Sequence, residues 1–325
     1  MKIIHVENPG PDYRLVMGSE ARPAPGPGQV LIQVAAAGLN NADLLQGCGL
    51  YPPPPGASPI LGMEVSGTIA ELGAGVSGWN KGDKVCALLP GGGYAEFAVA
   101  DTGSLLPVPD AVDLVEAAGL PEAAFTAWTN IMDTGRLAPG ETLLIHGGTS
   151  GIGSLAIQIF AARGHTIFTT AGSDEKFQAA HGFGAARAIN YRKEDFVEVI
   201  KAETNRKGVD VILDMVGGDY VQRNIAAAAP WGRIVNIAYQ NGFKTEVDFA
   251  PVLTRRLTLA ATTLRGRTPE QKRAIRDALL GEVWPLVGTR IKPVIARTFP
   301  LAEAQKAHQF MAKTGHIGKI LLQMA

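Results

Sequence analysis

"HGGTSGIGS" (His146–Ser154) decides the fold. It follows the apolar run "TLLIHG" (Thr142–Gly147) and opens the helical run "GIGSLAIQIFAARG" (Gly151–Gly164). A strand, a glycine turn and a helix in that order form the entry to a βαβ unit that holds a pyrophosphate. The glycines read as Gly148-x-Ser150-x-x-Gly153, with Gly151 and Ile152 inside the motif. Such a site needs a tight turn, a backbone that comes close to the phosphates and close helix–strand packing. The helix N-terminus adds unpaired N–H groups and the positive end of its dipole. Ser150 holds the middle position, where a small residue fits and its hydroxyl can donate to a phosphate. His146, just before the turn, is expected to pack beneath it.

The pattern continues on the C-terminal side. "TIFTT" (Thr166–Thr170) and "VDVILDMV" (Val209–Val216) read as strands, as do "GRIVNIA" (Gly232–Ala238) and "LTLAATTL" (Leu257–Leu264). "DEKFQAAHGFG" (Asp174–Gly184) and "DFVEVIKAET" (Asp195–Thr204) read as helices, with Asp174 as the N-cap of the first. Alternation of this kind predicts an α/β fold with a doubly wound parallel sheet.

Before about Leu120 the texture differs. "QVLIQVAAAG" (Gln29–Gly38), "EVSGTIAELG" (Glu64–Gly73), "DKVCALL" (Asp83–Leu89) and "GYAEFAVA" (Gly93–Ala100) are short β-type runs between glycines and prolines. They predict a small, partly open barrel. "YPPPPG" (Tyr51–Gly56) is a stiff extended loop, because each proline fixes its own φ and restricts its neighbour. "DLVEAAGLPEAAFTAWTNIMDTG" (Asp113–Gly135) is helical in period and broken at Pro121. The tail, from Thr268, reads as a long helix, a strand (Lys292–Phe299), a helix (Leu301–Gly315) and a final strand (Gly318–Met324), and is expected to return to the first domain. The expected division is 1–122 with 267–325, and 123–266.

A length of 325 residues fits about two domains. Lysine plus arginine equals aspartate plus glutamate at 30 each, which gives no general attraction to nucleic acid or an acidic membrane. Cys48 and Cys86 stand in no CxxC pair and predict reduced thiols in a cytoplasmic protein. The opening "MKIIHVENPG" lacks the apolar segment of a leader, and no apolar run approaches the roughly 18 residues of a membrane span.

The second strand of the unit selects the nucleotide. An NAD site places an acid about twenty residues after the turn, on the ribose 2′-hydroxyl. Here the strand ends "TTAGSDEK", with Ala171 in that place and Ser173 and Lys176 after it. A hydroxyl and a lysine suit the 2′-phosphate of NADPH. Tyr191, in "INYRKEDF", is placed to pack on the adenosine side or donate to the same phosphate. Asp174 is the counter-evidence, lying close by as the expected N-cap of the helix that follows.

A barrel-like N-terminal domain, a dinucleotide-binding domain and a C-terminal return resemble the medium-chain dehydrogenase/reductase superfamily over essentially the whole chain, with a GroES-like, mostly β domain and a Rossmann domain. Within it, "GLNNADLLQGCGLYPPPPGASPILGMEVSG" (Gly38–Gly67), "LLPGGGYAEF" (Leu88–Phe97) and "GHIGKILL" (Gly315–Leu322) resemble the zinc-free quinone oxidoreductases, which include the ζ-crystallin-like and tumour-suppressor-inducible enzymes. The zinc members of the superfamily carry a cysteine, a histidine and a second cysteine as catalytic ligands. The matching positions here are Asn40, Met63 and Glu122, which do not make a competent zinc site. The resemblance therefore implies metal-free hydride transfer from NADPH to a small quinone, with positioning as the main catalytic contribution.

The resemblance also implies contacts. Asn40 and Tyr51 would stand beside the nicotinamide, and Thr126 near its ribose or phosphates. Gly217 would allow close cofactor approach, and Ala238, Tyr239, Leu264 and Arg265 would border the carboxamide. Tyr51 is a candidate for proton donation or quinone orientation, and equally for a plain cofactor contact. Arg265 is a candidate for stabilising a developing quinol oxygen, or else a surface arginine near the domain boundary. Cys48 is a bystander. "LTLAATTL" would be an apolar sheet edge, and relatives pair this strand across a homodimer. Two other functions stay open: reduction of an enone or enoyl thioester, and a non-catalytic NADPH-binding role of crystallin or RNA-binding type.

Overall fold

The computed structural model describes residues 1–324. In chain order the strands are β1 (Lys2–Glu7), β2 (Arg14–Ser19), β3 (Gln29–Gly38), β4 (Glu64–Leu72), β5 (Lys84–Leu88), β6 (Phe97–Asp101), β7 (Leu105–Pro107), β8 (Thr142–Ile145), β9 (Thr166–Ala171), β10 (Arg187–Asn190), β11 (Val209–Asp214), β12 (Ala228–Asn236), β13 (Thr258–Ala261), β14 (Ile295–Pro300) and β15 (Lys319–Gln323). The helices are α1 (Asn41–Gly47), α2 (Pro121–Trp128), α3 (Gly151–Ala162), α4 (Asp174–Gly182), α5 (Phe196–Glu203), α6 (Tyr220–Ala227), α7 (Ala250–Arg255), α8 (Pro269–Glu282) and α9 (Ala304–Ala312). Two compact units emerge: Met1–Phe125 with the segment from Leu264 onward, and Thr126–Thr263.

The second unit is a parallel sheet in the order β10-β9-β8-β11-β12-β13. β11 (VDVILD) is buried along its whole length, as a central strand with both faces covered must be. β13 lies at the edge and is mostly exposed. Leu144, Phe168, Ile189, Ile212 and Ile234 carry the core from strand to strand, and Phe196, Ile200 and Ile225 close it from the helices.

The first unit is built on β3. Its first half, Gln29–Gln33, pairs with β6, and its second half, Ala36–Gly38, pairs with β15. β4 runs along the opposite edge of the same strand, with the register slipping twice, so the sheet bends around β3. The remaining order is β14-β15-β3-β4-β5-β7, while β1 and β2 form a separate ribbon. The GroES-like reading holds, and the tail contributes both β14 and β15. Neither β1 nor β2 is signalled by a bounded apolar run. "GYAEFAVA" yields a strand only from Phe97, because Gly93 and Tyr94 instead bond to Gly62 and Leu61 carbonyls.

Pro121 starts α2 rather than ending a helix, since the first helical position needs no N–H partner. The helix then loosens into a π-type turn over Thr129–Thr134. α8 opens with a capping box in which Thr268 and Gln271 satisfy each other's backbone N–H. Cys48 and Cys86 are both free thiols. Among the described residues, no helix is long and apolar enough to cross a membrane.

A buried polar chain lies in the first unit. Tyr13 bonds His308 Nδ1 at 2.7 Å, and Tyr94 bonds His308 Nε2 at 3.0 Å. Tyr94 in turn bonds Asp43. With Asp43 ionised, Tyr94 donates to it, His308 Nε2–H donates to Tyr94, and Tyr13 donates to Nδ1. Burial lowers His308 to about 3 and raises Asp43 to about 6.

Candidate active site

The glycine turn has the geometry that the sequence implies. Gly147 adopts φ 68°, the left-handed region that favours glycine. A Cβ on Gly148 would overlap Thr169 Oγ1, and one on Gly153 would overlap the Gly147 carbonyl. The backbone of the turn at Gly147–Gly148 and the start of α3 therefore touch with no side chain between them. Ser150 is the N-cap of α3: its Oγ accepts from Gly153 N at 3.0 Å and donates weakly to Met215 Sδ at 3.8 Å. Its hydroxyl thus serves the helix. Gly151 and Ile152 open the first turn of that helix.

His146 packs beneath the turn. Its Nε2 bonds Asn224 Oδ1 at 2.7 Å and its Nδ1 bonds Thr170 Oγ1 at 3.1 Å. The Asn224 amide donates to Asp214 at 3.0 Å, which leaves its Oδ1 to accept from His146 Nε2–H. Burial lowers the His146 pKa, against the pull of Asp214. Asp214 is the hub: it also accepts from Val216 N at 2.7 Å and Asn236 Nδ2 at 2.8 Å. It ties the ends of β11 and β12 together.

Gly217 has φ 66°, and a Cβ there would come within 2.6 Å of the Tyr239 ring. The close approach that requires glycine at this position is that of Tyr239, which also lies against Phe243. Ala238 and Tyr239 are half-buried in the loop after β12. Thr126 is buried in α2, and its carbonyl accepts from Asn130 Nδ2 at 2.8 Å.

Beyond β9 the structure gathers a cationic group. Ala171 closes the strand, buried. Ser173, not Asp174, is the N-cap of α4, accepting from Lys176 N at 3.3 Å. The expected capping role of Asp174 is corrected: its carboxylate is turned to Lys193 Nζ, at 2.8 and 2.9 Å, and to Asn190 Nδ2 at 3.1 Å. The opposing charge is therefore already paired. Tyr191 lies against Gly172, where a Cβ would come within 2.5 Å of its hydroxyl. Partial burial and the neighbouring Arg192 lower the Lys176 pKa, with Glu175 acting the other way. Two cations brought within electrostatic reach of each other fit a multiply charged anion. Arg192 was not singled out from the sequence, although the adjacent "YRK" carries the signal.

The first unit contributes a different cluster. Asn40 is buried; its Nδ2 donates to Glu64 Oε1 at 2.9 Å and its Oδ1 accepts from Lys319 Nζ at 2.7 Å. Glu64 and Lys319 form a buried ion pair. Neither residue stands out in the sequence, since they are 255 positions apart and each reads as an ordinary strand charge. Arg265 is buried rather than on the surface. Its Nε donates to the Pro90 carbonyl at 2.7 Å and its Nη2 to Gln46 Oε1 at 2.8 Å, while Nη1 lies 3.4 Å from the Tyr51 carbonyl. Its guanidinium also lies 5.4 Å from the Tyr51 ring centroid. Burial raises the Tyr51 pKa, and Arg265 opposes that rise. Leu264, beside it, is buried.

Comparisons with known proteins accord with this architecture. The alcohol dehydrogenase GroES-like domain matches residues 26–110, and the zinc-binding dehydrogenase family matches residues 151–279. Quinone oxidoreductase of Rattus norvegicus is 30% identical over 99% of this chain and 97% of its own length. The chain belongs to the medium-chain dehydrogenase/reductase superfamily. The quinone oxidoreductase of Escherichia coli complexed with NADPH superposes with TM-score 0.86 at 27% identity, covering 99% of this chain and 100% of that one. The CurK enoyl reductase superposes with TM-score 0.83 at 29% identity, covering 96% of this chain and 95% of that one. The chain spans only 15% of the length of the mycobacterial phthioceranic/hydroxyphthioceranic acid synthases, to which it is 32% identical.

The superfamily's catalytic zinc does not fit the residues found here. The amide of Asn40 is occupied by an ammonium and a carboxylate, and that carboxylate is already paired with the same ammonium. Met63 offers a buried thioether. Among the described residues, no three His, Cys, Asp or Glu side chains group as metal ligands.

Proposed function

We propose that this protein is an NADPH-dependent reductase of small quinones. The cofactor reading is carried by Ser173 at the N-cap of α4 with Lys176 in its first turn and Tyr191 against Gly172, with Ala171 in the place of the ribose-binding acid and Asp174 paired with Lys193. That constellation fits the 2′-phosphate. The turn at Gly147–Gly153 holds the pyrophosphate at the start of α3. The bound cofactor supplies a hydride from nicotinamide C4.

The chain's own part is to bind, to orient and to supply the proton. Overall, quinone, NADPH and one proton give hydroquinone and NADP⁺. Tyr51 keeps its phenol protonated, since burial raises its pKa, and is the residue assigned to orient the acceptor and donate the proton. Arg265 holds the Tyr51 loop through its contacts to that backbone and ring. Because its other N–H groups are committed to Pro90 and Gln46, it acts by positioning Tyr51. Thr126, Gly217, Ala238, Tyr239 and Leu264 are assigned to the cofactor. With no zinc-competent residues at Asn40, Met63 and Glu122, the acceptor must take hydride without a Lewis acid, which a quinone does because its reduced form is aromatic.

The likeness to the CurK enoyl reductase favours a second reading, in which the hydride goes to the β-carbon of an enoyl thioester. A steady-state screen of NADPH and NADH against ortho- and para-quinones, enones and enoyl thioesters separates the two. NADPH oxidation by quinones without added metal is expected. Turnover of enoyl thioesters alone would reject the first reading.

A further inference from the structure

A buried chain of hydrogen bonds joins two glycine turns of the second unit. β8 has β9 on one side and β11 on the other, so the strand order reverses there. Ligands of such sheets bind outside the carboxyl ends of the strands at that point. His146 follows β8, Thr170 lies near the end of β9, and Asp214 ends β11. All three are buried, as is Asn224 on α6.

The direction of every bond in the chain is fixed. Asp214 Oδ1 faces the backbone N–H of Val216 at 2.7 Å and of Gly217 at 3.3 Å, which can only donate. Asp214 Oδ2 takes the Asn224 amide N–H at 3.0 Å, so Asn224 Oδ1 is left to accept from His146 Nε2–H at 2.7 Å. Burial favours the neutral imidazole, whose Nδ1 is then bare. The Thr170 hydroxyl donates to it at 3.1 Å, and with its proton so committed Thr170 Oγ1 accepts from Gly147 N at 3.3 Å. The Thr170 carbonyl accepts from Gly148 N at 3.2 Å. One threonine thus holds the first two N–H groups of the glycine turn. The turn passes the constraint on, since the Gly147 carbonyl accepts from Ser150 N at 2.9 Å and Ser150 caps α3.

The Phe196 and Tyr220 rings flank His146 edge-on, each at 4.9 Å, and an apolar side chain would suit that setting. A fully satisfied polar chain in such a place specifies one arrangement. We propose that Thr170, His146 and Asn224 are positioning residues that tie the glycine turn to Asp214 and hold the start of α3 in the form that takes the pyrophosphate of NADPH. This rests on the cofactor reading above, and every member of the chain belongs to the second unit.

Binding read by NADPH fluorescence, with adenosine 2′-monophosphate as a displacing ligand, tests the proposal. That nucleotide carries the 2′-phosphate and no pyrophosphate. Thr170→Val keeps the shape of the side chain and removes the hydroxyl. It is expected to weaken NADPH binding about three- to tenfold and to leave binding of the monophosphate within about twofold. His146→Leu should do the same, and the two together no more than either alone, because they break one chain. His146→Gln keeps an acceptor for Thr170 and a donor for Asn224 and should bind NADPH within about twofold of wild type. Unchanged NADPH binding in Thr170→Val, equal loss of both ligands, or additive losses would overturn the proposal. If His146→Leu does not fold, Thr170→Val and the tautomer decide. Nitrogen NMR of His146 in the ligand-free wild type should find the proton on Nε2, and a proton on Nδ1 instead would overturn the chain. A wild type that binds NADPH and reduces no quinone rejects the proposed reaction alone. If the monophosphate does not compete with NADPH, the 2′-phosphate assignment falls, while the NADPH titrations and the tautomer still judge this inference. A wild type that binds no NADPH overturns both.

Discussion

Lys193 grips both carboxylate oxygens of Asp174, at 2.9 and 2.8 Å. The acid that would otherwise repel a 2′-phosphate next to Ser173 is thereby neutralised, and Lys193 together with Asn190 lowers its pKa. Lys193→Met exposes that charge to the cofactor. Exposed pairs of this kind contribute little, so NADPH affinity should fall by no more than about fivefold, with NADH affinity nearly unchanged. Equal effects on the two cofactors in calorimetric titration would remove Asp174 from the discrimination.

Lys176 and Arg192 are proposed to carry the larger share. A hydrogen bond to a charged group is worth about 1.5–3 kcal/mol. Lys176→Ala and Arg192→Ala should each weaken NADPH binding roughly ten- to a hundredfold and leave NADH binding within about twofold. An unchanged NADPH dissociation constant in the Lys176 variant sinks the cofactor assignment.

Gly148→Ala puts a methyl group into Thr169 Oγ1. Overpacking of this kind costs roughly 1–3 kcal/mol. The melting temperature should drop and NADPH binding should weaken, and Thr169→Ala in the same chain should restore part of both. No recovery in the double variant would mean that the turn is strained for another reason.

The acid limb of stability belongs to His308. Folding holds it neutral, with its pKa lowered by burial from 6.5 to about 3. Its contribution is full above 6.5 and is lost as pH falls towards about 3. Asp43 acts in the opposite sense: raised from 3.8 to about 6, it stabilises below 3.8 and that contribution is lost as pH rises through about 6. The His308 span is the wider, so the urea midpoint should fall between pH 6.5 and 5. His308→Gln keeps a donor and an acceptor for Tyr13 and Tyr94 and should flatten that fall. An unchanged slope would place the acid sensitivity elsewhere.

The edge of the parallel sheet at β13 is expected to pair with a second copy. Leu259 on that strand, Leu253 on α7 and Phe249 just before it are exposed, and an uncovered apolar edge invites another chain. Light scattering should report about twice 34.2 kDa, and Leu259→Lys should lower it. A wild-type mass of one chain rejects the homodimer.

The parallel sheet was legible because it is local. β8, β9, β11 and β12 with α3, α4 and α5 announce themselves by period and by a glycine or cap, while the short α6 and α7 went unread, and the turn needs only residues within one βα step. Ala171, Ser173 and Lys176 could be read for the same reason. What the sequence hides is the pairing of distant charges. Lys193 against Asp174, and Lys319 against Glu64, each look like solvated residues until the fold sets them side by side. Arg265 shows the converse: its position after a strand suggested a surface or a site, and only Gln46 and Pro90 reveal a buried clamp.

Lys319 stands on β15, and it reaches an asparagine 279 positions earlier. At a synthesis rate of 5–20 residues per second, Asn40 leaves the ribosome roughly a quarter of a minute to a minute before its partner exists. The parallel sheet can close in that interval, while the half of β3 that awaits β15 stays an open edge. The nascent chain is then a folded nucleotide-binding body tethered to an unfinished first unit, whose sheet closes only once β15 has been made.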